Sequence, residues 1–185
     1  MQSQSPGPDK LAIAAADTLL RYVGIRETHG YNRSPIIDRM NRLAGVPVGS
    51  SWCMAFAVYG YHAAAANMGR RSPLLRTGAC ARQLTFARSI GSGLRVIPLN
   101  TLGATVPTLR GDLLIAKRGG YGTSKDIAQL RLGHCGVVDR DAGAAVVTIE
   151  GNTSGGRRGS QHNGDGAHIR TRSKRWWLAI IRIPG

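Results

Sequence analysis

The sequence predicts an α+β fold in which helices pack on one face of an antiparallel β-sheet. Three observations carry this expectation. Helix-period apolar patterns with capping residues fill the first half of the chain, short β-type runs fill the second, and no internal repeat breaks the order. At 185 residues and 42% hydrophobic content, the chain suits one domain with a substantial core rather than two.

Asp9 is a candidate N-cap for a helix whose Leu11, Ala15, Leu19 and Val23 share a face, with Gly24 as its stop. In "SPIIDRMNRLAG", Ser34 stands as N-cap, Pro35 at the first helical position and Gly45 just past the end. Ser50 or Ser51 is expected to cap a third helix through Cys53, Phe56 and Tyr61 to about Met68, closed by Gly69. A fourth is expected from Thr77 to about Ile90. The strand candidates follow as "LRVIP", "DLLIA", "CGVVDR", "AAVVTIE", "HIRTR" and "WWLAIIRI". Residues 1–8 read as an N-terminal tail and 9–185 as the single domain. Two Gly-rich segments, "KRGGYGTSKDIAQLRLG" and "GNTSGGRRGSQHNGDG", read as surface loops of the kind where substrate contacts gather.

The charge is lopsided: 25 Lys and Arg against 10 Asp and Glu give +15. Such a chain is drawn to polyanions, whether nucleic acid, anionic lipid or an anionic cell envelope. Three cysteines, Cys53, Cys80 and Cys135, do not make a disulfide framework, and the lack of a Cys-x-x-Cys pair argues against a structural zinc site. The opening "MQSQSPGPDK" has neither the basic nor the apolar region of a secretory signal, and no apolar run reaches membrane-spanning length. The expectation is synthesis in the cytoplasm without a signal peptide, any external target being reached by other means.

In "GSSWCMAFAVYG", Cys53 falls in the first turn of a helix, where free N–H groups and the helix dipole favour a thiolate. A lone cysteine is more often a small buried hydrophobe, so a partner is needed. The hairpin "HCGVVDRDAGAAVVTIEGN" supplies candidates. Pairing centred near Ala142 sets Val138 opposite Val146, Gly136 opposite Thr148 and His134 opposite Glu150, with Asn152 on the same face as Glu150. A carboxylate there can accept the Nδ1–H of His134 and orient it as a general base. Cys135 points to the opposite face and reads as core, and Trp52 reads either as core or as a wall beside the nucleophile.

Taken in order, "WCMAF", "RGDLLIA", "GHCGVV" and "TIEGN" resemble the cysteine/histidine-dependent amidohydrolase/peptidase (CHAP) domains, papain-like enzymes related to the NlpC-type cell-wall hydrolases. The upstream "GIRETHGYNRSPIIDRMNRLAG" is similar to the segment before the nucleophile helix in some of these proteins, so the resemblance covers about Val23 to Pro184. It implies a papain-like CHAP/NlpC fold, Cys53 as nucleophile, His134 as base, and Glu150 and Asn152 as the residues that position the histidine. It further implies peptidoglycan amide bonds as substrate, either between sugar and stem peptide or within the peptide. No metal or cofactor is required by such a mechanism. The implied settings are a phage lysin, a wall-degrading tail component with phage tail proteins as partners, or an injected antibacterial effector.

Two other readings compete. One keeps the fold without the chemistry, as a virion component that grips the wall; the presence of all four site-matching residues argues against it. The other is nucleic-acid binding, suggested by "RTRSKRWW", but the basic residues are scattered and no recognition motif is present. "GGYGTSK" lacks the Gly-Lys-Ser/Thr ending of a phosphate loop.

Overall fold

A computed structural model describes residues 7–28, 31–99, 105–117, 133–155 and 164–185. These residues contain four α-helices, α1 (Lys10–Leu20), α2 (Pro35–Leu43), α3 (Cys53–Asn67) and α4 (Cys80–Arg88). They also contain six strands, β1 (Arg95–Pro98), β2 (Leu113–Lys117), β3 (Gly133–Ala142), β4 (Ala145–Thr153), β5 (Gly166–Ser173) and β6 (Ala179–Arg182). The strands form one antiparallel sheet in the order β1-β6-β2-β3-β4-β5. This is the α+β architecture expected from the sequence. The two Gly-rich loop segments fall largely outside the described residues.

Side-chain caps set the starts of α1 and α2, but not those of α3 and α4. The Asp9 carboxylate accepts from the Leu11 N–H at 2.7 Å and the Ser34 hydroxyl from the Ile37 N–H at 3.3 Å, each satisfying a donor the helix cannot. Neither Ser50 nor Ser51 caps α3. Trp52 occupies the N-cap position without a side-chain cap, so Cys53 is the first helical residue. The reason is that Trp52 is pinned by the core. Its indole N–H donates to Glu27 Oε1 at 3.0 Å, and its ring meets Phe56 edge-to-face at 6.0 Å. The fourth helix is shorter than expected, starting at Cys80 after the Thr77 hydroxyl has bonded the Ala79 N–H. In "WWLAIIRI" the tryptophans precede the strand: a 3-10 turn spans Lys174–Trp176, and β6 starts at Ala179.

α3 is the central helix. It is apolar on every side, as a helix enclosed by other elements must be, and it packs against α1, α2, β3 and β4. The main core lies between the helices and one sheet face, where Leu113, Ile115, Cys135, Val137, Ile149 and Ile181 point. A smaller cluster on the other face gathers Leu114, Ala116, Val138, Val146, Ile180 and Trp177.

The β3–β4 hairpin differs in register from the expected one. Val138 faces Thr148 and Val137 faces Ile149, because the tight turn lies at Gly143–Ala144 and the pairing slips at Asp139. The net shift is two residues, and side chains alternate with period two. His134 and Glu150 therefore still project from one face.

Close approach of α1 to α3 depends on Gly60, where an added Cβ would lie 2.4 Å from Leu19 Cγ. Gly60→Ala is expected to destabilise the fold by about 1–3 kcal/mol through overpacking, read from the urea unfolding midpoint. An unchanged midpoint would mean that the interface has slack.

Candidate active site

The sequence brings Cys53 to the start of α3 and His134 and Glu150 to adjacent strands, and the structure joins all three. His134 and Glu150 are 2% and 0% exposed, and their His134 Nε2–Glu150 Oε2 separation is 2.8 Å. The ring atom engaged is thus Nε2, not the Nδ1 anticipated from the hairpin geometry. His134 is the second residue of β3, at the strand's open end. From there the ring also interacts with Cys53, and each of the two favours the charged form of the other.

Glu150 is a buried anion with every lone-pair direction used. Arg172 binds it in a fork, Nε to Oε1 and Nη2 to Oε2, both at 2.7 Å, and the Thr148 hydroxyl donates to Oε1 at 2.7 Å. Burial pushes the Glu150 carboxyl up, but Arg172 and then His134 outweigh it and bring it down to about 2. Burial likewise opposes charge on His134, and the hydrogen bonds to Cys53 and Glu150 overcome it, raising the ring to about 9. Cys53 lies well below the usual thiol range. Hydrogen bonds from the Cys135 and Cys80 thiols lead this shift against burial, and the His134 imidazolium adds to it. The helix N-terminus favours the same charge state. Both shifts favour the charged pair, a thiolate beside an imidazolium.

Asn152 is buried near this group, but Glu150 is the residue that bonds the ring. Asn152 sits at φ 53°, where the β4–β5 pairing slips between Glu150 and Thr153. The left-handed turn tolerated by asparagine ends the regular ladder just after the carboxylate. Trp52 does not wall a groove. It is 0% exposed, and its ring abuts Phe56 and Gly151. The half-buried indole near the histidine is Trp176 instead, 6.0 Å from His134 with the Arg172 guanidinium 4.3 Å over its ring.

Sequence reading missed Thr148, Arg172 and Trp176. Arg172 was visible only as part of a basic run, and its role required knowing that β5 lies beside β4. A pocket of about 600 Å³ is lined by Arg26, Glu27, Tyr31, Asn32 and Asp165. Glu27 connects it to the start of α3 through its bond to Trp52.

Cys135 is buried on the helix side of the sheet, as expected, but it is not isolated. The sulfurs of Cys53, Cys80 and Cys135 lie within 4.8 Å of one another. Residues remote in sequence thus converge in a way that cysteine spacing did not reveal.

The arrangement is that of an α+β domain in which a helix-borne cysteine meets a histidine–carboxylate pair on an antiparallel sheet. Its fold is similar to that of the wild-type endolysin LysIME-EF1, with a TM-score of 0.55 at 17% identity, over 94% of this chain and 64% of that one. Ly7917 is also similar, with a TM-score of 0.47 at 14% identity, over 94% of this chain and 62% of that one. The chain therefore spans less than two thirds of the length of these two proteins. No family model and no curated protein matches the sequence.

The buried network makes a stability prediction. Folding raises His134 from 6.5 to about 9, so its contribution is complete below pH 6.5 and is lost as pH rises through 9. Folding lowers Glu150 from 4.5 to about 2, so its contribution is complete above pH 4.5 and is lost as pH falls through 2. Arg172→Ala strips the main partner from a buried carboxylate and is expected to cost about 3 kcal/mol, measured by urea unfolding at pH 6. The loss should shrink in acid as Glu150 takes up a proton. A loss independent of pH would point to packing of the arginine stem instead.

Proposed function

We propose that this chain is a cysteine-dependent hydrolase that cuts an amide bond of bacterial peptidoglycan, as an N-acetylmuramoyl-L-alanine amidase or a stem or cross-bridge endopeptidase. The observation that carries this reading is the Cys53–His134–Glu150 relay at the N-terminus of α3. The substrate class rests on the resemblance to CHAP domains and is supported, at the level of fold, by the likeness to an endolysin. The +15 charge suits an anionic wall.

In this mechanism the Cys53 thiolate attacks the amide carbonyl, forming the S–C bond of a tetrahedral oxyanion. The N–H groups of the first turn of α3, which no side chain caps, would receive the negative oxygen, that of Cys53 included. The His134 imidazolium protonates the leaving amine as the C–N bond breaks, leaving a thioester. Neutral His134 then takes a proton from water. The resulting hydroxide attacks the thioester, the acid is released, and the thiolate and imidazolium are restored. Glu150, held by Arg172 and Thr148, keeps the Nε2–H of His134 directed away from the sulfur throughout. Asn152 supports this geometry through the turn that follows Glu150. The protein would act at the wall as a phage lysin, a tail component or an injected effector.

Purified peptidoglycan treated with the wild-type protein and with Cys53→Ala provides the direct test. Wild type is expected to release fragments whose new termini, read by mass spectrometry, name the bond, and Cys53→Ala none. Release by both would remove Cys53 from the mechanism, and release by neither would favour a wall-binding component without activity.

The pH profile gives a second test. The active thiolate–imidazolium form disappears in acid as Cys53 takes up a proton and in base as His134 loses one near 9. The kcat/KM profile should therefore be bell-shaped with a basic limb at about 9. In Glu150→Gln that limb should move down, because the anion that helps hold the imidazolium is gone. A limb unmoved by the substitution would assign it to another group.

A further inference from the structure

We propose that Cys53, Cys80 and Cys135 form a three-thiolate site for a soft, tetrahedral d10 cation of the Zn²⁺ class, and that its occupancy withdraws Cys53 from catalysis. The first part stands on geometry alone, and the second rests on Cys53 being the nucleophile.

The three sulfurs come from separate elements, α3, α4 and β3, and converge to within 4.8 Å of one another. Zinc bound tetrahedrally to thiolates, with Zn–S about 2.3 Å, sets its sulfurs about 3.8 Å apart. Each sulfur then moves by a fraction of the present spacing. Thiolate sulfur selects zinc or Cu(I) over magnesium and calcium, which prefer oxygen.

The surroundings are built for a compact anionic complex. Zn²⁺ with three thiolates carries one net negative charge: Cys53, whose ionised form is already favoured, binds without losing a further proton, and Cys80 and Cys135 each release a thiol proton to solvent as their Zn–S bonds form. Cys53 and Cys80 are the first residues of α3 and α4, so two helix N-termini meet that charge. Cys80 can seat against β3 only because residue 133 is glycine: an added Cβ there would lie 2.8 Å from Cys80 Cβ and 3.4 Å from its sulfur. The fourth position is left to water. Gln83, one turn beyond Cys80 on α4, is fully buried with neither amide atom hydrogen-bonded among the described residues, and it offers that water a partner.

A disulfide would use two of these sulfurs and would need an oxidant. A metal ion uses all three in their reduced state.

The test titrates reduced, chelator-treated protein with Co²⁺, whose thiolate-to-metal charge-transfer absorbance grows with the number of sulfur ligands. One Co²⁺ per chain should bind with this band and be displaced by one Zn²⁺. Cys80→Ser and Cys135→Ser should each weaken binding by more than about 100-fold, since losing a ligand costs more than losing an outer-shell partner. Near-ultraviolet circular dichroism of each metal-free variant checks its fold, and either variant suffices if the other does not fold. Absence of the band in wild type, or its full retention in a folded serine variant, overturns the site. In the peptidoglycan assay, one equivalent of Zn²⁺ should abolish fragment release by wild type, and a chelator should restore it. Release that persists with Zn²⁺ bound overturns the inhibition and leaves the site standing. If wild type releases nothing even without metal, the hydrolase reading fails and the inhibition falls with it, while the cobalt result decides the site independently.

Discussion

The site depends on one buried anion. Glu150 is 0% exposed and ionised, which in a protein interior is tolerable only if its charge is paired and its oxygens are hydrogen-bonded. Three adjacent strands meet that demand: β3 brings His134, β4 brings Thr148 and β5 brings Arg172. The order β3-β4-β5 is thus as much an electrostatic requirement as a packing one. The two cationic partners of Glu150, Arg172 and the His134 ring, lie on the strands either side of it. The histidine is in turn oriented by a carboxylate that is itself hydrogen-bonded at both oxygens.

How far the sequence displays this varies with the range of the interaction. The start of α1 at Asp9 and that of α2 at Ser34–Pro35 were legible because a cap acts within three residues. The start of α3 was misplaced, because Trp52 is fixed by Glu27, a residue 25 positions away, and a local serine does not compete with that. The hairpin register was wrong by two residues, yet its faces were right, since an even shift preserves alternation. Arg172 and the meeting of three cysteines were not legible at all. Both follow from which strands and helices become neighbours, and no spacing along the chain encodes that.

The three cysteines show why burial and reactivity need not be alternatives. Burial and then the neighbouring sulfurs push Cys135 well above the ordinary thiol range. In Cys80 the hydrogen bond to Cys135 acts downward, but the influence of Cys53 and burial prevails and the thiol is raised. Cys53 alone is lowered. The three directions together favour the negative charge on Cys53, the sulfur that interacts with His134. Two weak S–H donors lie on one side of that sulfur and an imidazolium on the other. The same convergence that concentrates charge on Cys53 gives a soft cation three sulfurs to share. A proton and a metal ion bound as proposed would compete for one sulfur, that of Cys53. What would separate the two is selectivity: the proton needs only Cys53, whereas the metal ion would also need Cys135 and Cys80, the latter seated against a strand position without a side chain at Gly133.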